Sequence, residues 1–385
     1  METGVLIVGS GMAGVTLARE LRKLDADISV TLISADAGGF YSKPNISNAL
    51  AAGKNVAQLM MTQRDALAAQ LKIQIHSAVQ VTALDPQRAK VTTTIGDIGY
   101  QHLVLALGAR PIRLPIAGDG ADDVCSVNHL DHYAVFRDVL SGKKKIALLG
   151  AGLIGCEFAN DLRLGDFAVE VFDLAPQALG RLLPAQAATF FQQRMQAAGV
   201  NFHFSTCITR VDKTASGYRL VDSHGIEHSA DLVLSAVGLV PETTLAKASG
   251  LSVNRGIGVD AHLQTNAGKA QAPIYALGDC MEVGELNLPF ILPIMAQART
   301  LAKTLSGTLT ELRYAAMPVV VKTPACPTVV CPPPQGSAGE WQEQVSAEGV
   351  RAIFVGNDGK PLGFALVGSA TAERQALATQ MPAWL

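Results

Sequence analysis

The compact set of about four cysteine ligands that a zinc site or an iron–sulfur cluster requires is missing from this chain. The six, Cys125, Cys156, Cys207, Cys280, Cys326 and Cys331, are scattered, and no Cys-x-x-Cys occurs. Such spacing suits reduced thiols and predicts no bound metal. Cys326 and Cys331 are the nearest pair, and Pro327 between them argues against a disulfide. All six are expected to be structural. A secretory leader is also missing, since Met1 to Gly4 runs straight into Val5-Leu6-Ile7-Val8, and the mature chain is expected to begin where the fold begins. No apolar run approaches the roughly 20 residues of a membrane span. These absences predict a cytoplasmic protein with no membrane insertion. An excess of one charge is lacking too. With 31 basic and 33 acidic side chains the formal charge is −2, which gives no electrostatic case for nucleic acid as a partner.

What is present is a chain of 385 residues, 49% hydrophobic and 17% charged, long enough for two or three domains. A β-branched run, glycines, the helical pattern Val15 to Leu24 and the strand-like Ser29 to Ser34 form a βαβ unit. The order recurs at Lys145 to Leu149, glycines, Cys156 to Leu164, and Ala168 to Asp173. Three further apolar runs end in glycine, at Gly108, Gly238 and Gly278, and each reads as a buried strand leaving its sheet beside a cofactor. Pro111, Pro115 and Pro241 mark crossings between domains near residues 112 and 240. No repeat beyond the two βαβ units is apparent.

The expected fold class is therefore α/β, with two Rossmann-like dinucleotide-binding domains, one inserted in the other. Residues 1–112 and 240–316 would bind FAD and 113–239 NADH. After residue 316 the texture changes to proline-punctuated strand fragments, so 317–385 is expected to be a small α+β domain, closed by a helix over Thr371 to Met381.

Gly9-Ser10-Gly11-Met12-Ala13-Gly14 follows a strand and opens a helix, the context in which this spacing has mechanical meaning. Gly9 permits the tight turn, Gly11 lets the backbone approach a pyrophosphate, and Gly14 lets helix and strand pack closely. The anion then meets the free N–H groups of the helix N-terminus. Gly150, Gly152 and Gly155 repeat the device. Asp173 ends the second strand of that unit, where a carboxylate receives the ribose hydroxyls and repels a 2′-phosphate, so NADH is expected. Its plain reading is a solvated strand end. Arg181 in the following loop is the one feature that speaks for NADPH. In the first unit this position falls near Ser34, with Asp36 two residues on, so Ser34 or the backbone of Ile33 and Ser34 is expected to hold the adenosine.

These residues resemble the two-dinucleotide-binding flavoprotein disulfide reductase superfamily, in which the first fingerprint holds FAD and the second NAD(P)H. Ile274-Tyr275-Ala276-Leu277-Gly278-Asp279 is similar to its second FAD motif, which implies that Asp279 bonds the ribityl chain. The redox Cys-x4-Cys of many members would lie near Tyr41-Ser42-Lys43-Pro44-Asn45-Ile46-Ser47, and no cysteine is there. With Phe40 to Pro44, the extended fingerprint Gly155 to Leu162 and Val321 to Pro327, the chain resembles end to end the rubredoxin reductase branch that serves bacterial alkane-oxidation chains. Ferredoxin reductases share the first two domains but carry tryptophans where this chain has Met317 to Val321.

The resemblance implies that Lys43 lies at the isoalloxazine near N5 with Glu157 opposite, where a lysine and a glutamate from different domains could pair and hold the flavin face open to nicotinamide. Alone, each would be a surface charge. Val81, Ile291 and Lys322 are implied flavin contacts from the adenine, ring and C-terminal sides, although Val81 and Ile291 also read as plain core residues. The implied reaction is hydride transfer from NADH to FAD, followed by single-electron release to rubredoxin or another small one-electron carrier. Lys303, Arg299, Arg313 and Lys322 are candidates for a basic docking rim. A ferredoxin or flavorubredoxin reductase, an NADH oxidase and a flavin-holding signalling protein are the competing readings.

Overall fold

The computed structural model describes residues 2–268 and 270–385. Glu2–Val8 lies at the centre of the first sheet, because Val5 to Val8 are apolar on both faces and almost wholly covered, as a parallel strand between two layers requires. It pairs in parallel with Val30–Ile33 on one side and with the C-terminal half of Gly96–Leu105 on the other. Gln74–His76 and Ile274–Ala276 complete this parallel sheet, so its last strand comes from the far side of the intervening chain. Helix Met12–Leu24 buries Val15, Leu17, Ala18 and Leu21 and packs against helix Ile291–Leu305.

The second sheet is built the same way. Lys145–Leu149 runs between Ala168–Asp173 and Leu232–Ser235, with Val200–Phe204 and Cys125–Ser126 outside them, all parallel. The likeness of the halves goes further than the two βαβ units expected from sequence. Each also carries an antiparallel meander before its returning strand. In the first it is Val81–Asp85, Lys90–Thr93 and the start of Gly96–Leu105, and in the second Ile208–Thr214, Gly217–Asp222 and Glu227–Ala230. Their alternation is that of any hairpin, so nothing in the sequence marks them as a repeat.

The two passages of chain between the sheets lie side by side. Ala109–Pro111 pairs antiparallel with Leu239–Pro241, Ile112 N–H donates to Gly238 O at 3.1 Å, and Glu242 N–H donates to Gly108 O at 2.9 Å. Arg110 and Glu242 face each other across this ribbon at 3.6 Å.

The C-terminal segment is a five-stranded antiparallel sheet in the order Val319–Val321, Thr328–Cys331, Pro361–Gly368, Gly349–Gly356, Gly339–Val345. The closing helix is shorter than the sequence suggests. A 3-10 turn at Ser369–Glu373 precedes one helical turn at Arg374–Ala378, in which Leu377 alone is buried, too little apolar surface to hold a longer helix down. Val321, Val330, Val350 and Val367 share one core with Phe191 and Met195 of helix Ala185–Ala197. That helix has no acid in its own first turn, and Glu343 supplies one from the C-terminal sheet, accepting Gln186 and Ala187 N–H at 3.2 and 2.8 Å. Among the described residues no helix is long and apolar enough to cross a membrane.

Candidate active site

The two glycine fingerprints form matching cradles. Gly9 (φ +118°) and Gly150 (φ +105°) take a conformation that other residues rarely adopt, and a Cβ on either would run into the carbonyl of Ala106 or Ala236. A Cβ on Gly14 would lie 2.0 Å from Gly9 O, and one on Gly155 would lie 1.9 Å from Gly150 O, so strand turn and helix are in direct contact. The middle glycines differ, because Gly11 and Gly152 have nothing within 4 Å of a Cβ position. They face the space a pyrophosphate needs. Both helices start at that glycine with no side-chain cap and no acid in the first turn, leaving their N–H groups for an external anion.

Beside the first cradle the backbone of Ile33 and Ser34 is hydrogen-bonded to neighbouring segments. Gly9 N–H donates to Ile33 O at 2.8 Å, Ser34 N–H donates to His76 O at 2.8 Å, and Ser34 O accepts from Val79 at 2.9 Å. Side chains gather at the same place. Ser10 Oγ lies 2.5 Å from Ser34 Oγ, and Asp36 Oδ1 accepts from Ser34 Oγ, from Ser10 Oγ at 3.2 Å and from Gly38 N–H at 2.8 Å. Asp36 is thus carried into the fingerprint despite its displaced position in sequence. In the second cradle Asp173 bonds Ala151 N–H at 2.5 Å and Ala175 N–H at 2.7 Å, which fixes its carboxylate beside the turn. Arg181 is exposed, and its side chain makes no hydrogen bond or ion pair among the described residues.

Lys43 and Asp279 are both largely buried and act on each other electrostatically. Burial pushes the Lys43 ammonium below its ordinary range while Asp279 opposes that shift, and burial pushes the Asp279 carboxyl up while Lys43 opposes it. Gly278 N–H donates to Gln297 Oε1 at 2.7 Å, and Gln297 Nε2 donates to the Tyr314 hydroxyl at 2.7 Å. This buried chain braces the second FAD-like motif from helix Ile291–Leu305. Sequence reasoning missed both residues, and a glutamine in an apolar helix face was the available signal. Met12 packs on the first core, half-buried Val81 begins a meander strand, and Ile291 stands 43% exposed at its helix start.

The structure does not join Lys43 to Glu157. Lys43 Nζ donates to Asn128 Oδ1 at 2.6 Å, and Asn128 in turn donates to Ala109 O at 2.8 Å. Glu157, 2% exposed, is instead taken by Lys322. Lys322 Nζ lies 2.8 Å from Glu157 Oε2, Lys322 N–H donates to Oε1 at 2.9 Å, and Ser47 Oγ donates to Oε2 at 2.6 Å. Lys322 Nζ also donates to Pro44 O and reaches Asn48 Oδ1 at 3.0 Å. The lysine from the C-terminal segment has the shorter reach, because its own backbone is already bonded to that carboxylate. This commitment removes Lys322 from any basic rim, whereas Arg299, Lys303 and Arg313 are exposed.

Helix Leu153–Leu164 presents two more polar residues on the same face, at the i+3 and i+4 positions from Glu157. Asn160 Oδ1 accepts Ala325 N–H at 3.0 Å, and Asp161 accepts Leu50 and Ala51 N–H at 3.1 and 2.8 Å. One helix of the second half therefore clamps residues 47–51 of the first and 322–325 of the C-terminal segment. The sequence signal was three polar residues among Phe158, Ala159 and Leu162. All six cysteines are free thiols. Burial pushes Cys280 up to about 12 and Cys326 and Cys331 to about 11, so none of these offers a thiolate near neutral pH.

Residues 3–301 match the model of the pyridine nucleotide-disulphide oxidoreductase family, and residues 311–381 match a rubredoxin binding C-terminal domain. The rubredoxin-NAD(+) reductase of Acinetobacter baylyi is 45% identical over 97% of this chain and 96% of its own. That of Alcanivorax borkumensis is 43% identical over 98% of each. Among solved structures, the ferredoxin reductase of the CYP199A2 system from Rhodopseudomonas palustris is 26% identical, with a TM-score of 0.88 over 99% of this chain and 95% of that one.

Proposed function

Because the chain belongs to the pyridine nucleotide-disulphide oxidoreductase family, we propose that it is an NADH-dependent, FAD-containing reductase whose electron acceptor is rubredoxin. The observation that carries this reading is the rubredoxin-binding match at residues 311–381, whose Lys322 is bonded to both the Lys43–Asn48 turn and Glu157. The acceptor-binding segment meets residues of both halves in one network. FAD is assigned to residues 1–112 and 240–316, NADH to 113–239, and the acceptor to 317–385.

The residues fit the two dinucleotides. Gly9, Gly11 and Gly14 with Ser10, Met12, Ser34 and Asp36 would hold the adenosine and pyrophosphate of FAD, while Gly108, Gly278, Asp279 and Lys43 would face its ribityl and ring portion. Ile33 supports the turn through its carbonyl, and Val81, Ile291 and Lys322 border the same site in this reading. Gly150, Gly152 and Gly155 with Asp173 and Gly238 would hold NADH. When bound, FAD supplies the exchange between a two-electron donor and a one-electron acceptor. The protein's part is positional. The uncapped helices anchor the pyrophosphates, Asp173 favours a free 2′-hydroxyl, and the Lys322–Glu157–Ser47 network fixes the angle between the halves so that the reacting rings can meet with water excluded.

Neither role of Lys43 or Glu157 is acid–base in this account. Lys43 is a desolvated cation and Glu157 a positioning residue. The free thiols suit a reducing compartment, the cytoplasm. The test is steady-state turnover of the full chain with NADH and purified rubredoxin. Two rubredoxins reduced per NADH is the expected stoichiometry, and NADH consumption that does not depend on rubredoxin would refute the assignment.

A further inference from the structure

Three strands of the second half bring Glu170, His203 and His228 together. Glu170 Oε2 lies 3.7 Å from His203 Nε2 and 3.9 Å from His228 Nδ1, and all three atoms fall within 4.8 Å of one another. These separations are too long for hydrogen bonds, so three polar atoms lie close together without bonding each other. Ligand atoms around a tetrahedral Zn2+, with bonds of about 2.0–2.2 Å, stand about 3.3–3.6 Å apart. Two of the pairs need to close by only a few tenths of an ångström.

The groups behind them are arranged to support this. Glu170 gives Oε1 to Lys145 Nζ at 3.0 Å, which leaves Oε2 turned to the histidines. His228 Nε2 meets Asp222 Oδ2 at 3.0 Å, and Asp222 Oδ1 is fixed by the N–H groups of His224 and Ile226 at 2.8 and 2.9 Å. The carboxylate keeps the proton on Nε2 and leaves the Nδ1 lone pair facing inward, the arrangement that orients metal-bound histidines. The His203 ring stacks on Phe172 at 4.5 Å with planes 8° apart, and Phe172 meets His228 edge-on. Among the described residues one contact competes, Asn201 Nδ2 to His203 Nε2, at 3.5 Å. Side-chain exposures of 27%, 19% and 12% for His203, Glu170 and His228 leave an entry path.

We propose that Glu170, His203 and His228 bind a late first-row divalent cation, with Zn2+ as the reference ion, and that Asp222 is the positioning residue behind His228. Two imidazoles and one carboxylate suit Zn2+ rather than Mg2+ or Ca2+. The cation would tie the antiparallel meander, through His228, to the parallel sheet that carries Asp173. No cysteine takes part, so the cysteine spacing that predicts no metal is silent about this cluster.

The test uses the FAD-loaded full chain, freed of metal with a chelator and titrated with Zn2+ against a chromophoric competitor. One Zn2+ per chain, undisturbed by excess Mg2+, is expected. His203→Ala spares both the Asp222–His228 and Lys145–Glu170 contacts and should weaken binding at least about tenfold, and Asp222→Asn should weaken it about 10–100-fold. Absence of stoichiometric binding overturns the proposal. So does equal affinity in the wild type and His203→Ala, which would place the ion on a thiol or a surface histidine.

Discussion

Lys322 Nζ lies 2.8 Å from Glu157 Oε2, a carboxylate 2% exposed, and Ser47 Oγ donates to the same oxygen while accepting from Lys322 Nζ at 3.0 Å. Three separate stretches of chain thus converge on one buried charge. Removing one partner of a buried pair leaves the other uncompensated, so Lys322→Met should lower unfolding free energy by about 3 kcal/mol. Adding Glu157→Gln should recover part of that loss. Denaturant unfolding of the two variants checks this, and strictly additive losses would mean that the pair is not coupled.

Asp161 gives a pH signature. Burial pushes its carboxyl up to about 6, against hydrogen bonds from Ala51 and Leu50 that favour the anion. The folded chain therefore holds this proton more tightly than the unfolded chain. Its contribution is most favourable below about pH 4 and is lost as pH rises towards 6, by up to about 3 kcal/mol. Relative to Asp161→Asn, the wild type should lose stability between these limits. A stability difference that is flat with pH contradicts this.

The two kinds of glycine in the first fingerprint should fail differently. Gly14→Ala places a Cβ 2.0 Å from Gly9 O and should lower thermal stability as well as flavin content. Gly11→Ala meets no protein atom within 4 Å, so the apo fold should melt as the wild type does. Its FAD affinity should fall at least about tenfold through crowding of the pyrophosphate. Flavin absorbance per chain and apo-protein melting separate the two.

Asp173 should set the choice of nucleotide. Asp173→Ala removes the ribose acceptor and frees Ala151 N–H. KM for NADH should rise about tenfold and the preference for NADH over NADPH should shrink, with kcat changed less. An unchanged KM ratio for the two nucleotides would assign Asp173 to the turn alone.

The cradles were legible in the sequence because their chemistry is local. Gly9 to Gly14 and Gly150 to Gly155 act within single βαβ units, and the structure gives each glycine the surroundings its place in the motif implies. The domain junction was legible only as a set of residues. Lys43, Glu157 and Lys322 were all candidates, yet which lysine meets the glutamate depends on packing between segments far apart in the chain. The partners of Asn128, Asn160, Gln297 and Tyr314 were illegible for the same reason: each serves a backbone group or side chain from a distant element. Asp36 shows the opposite case, in which a carboxylate two residues past its expected place is still folded back by Ser34.

The central claim is that the electrons go to rubredoxin. The most direct measurement is stopped-flow reoxidation of the NADH-reduced enzyme by purified rubredoxin, a ferredoxin and a flavorubredoxin domain at equal concentration. Rubredoxin should reoxidise the enzyme at a rate that rises with its concentration and exceeds the other two by at least about tenfold. Reoxidation by ferredoxin or by the flavorubredoxin domain at an equal or greater rate would contradict the account.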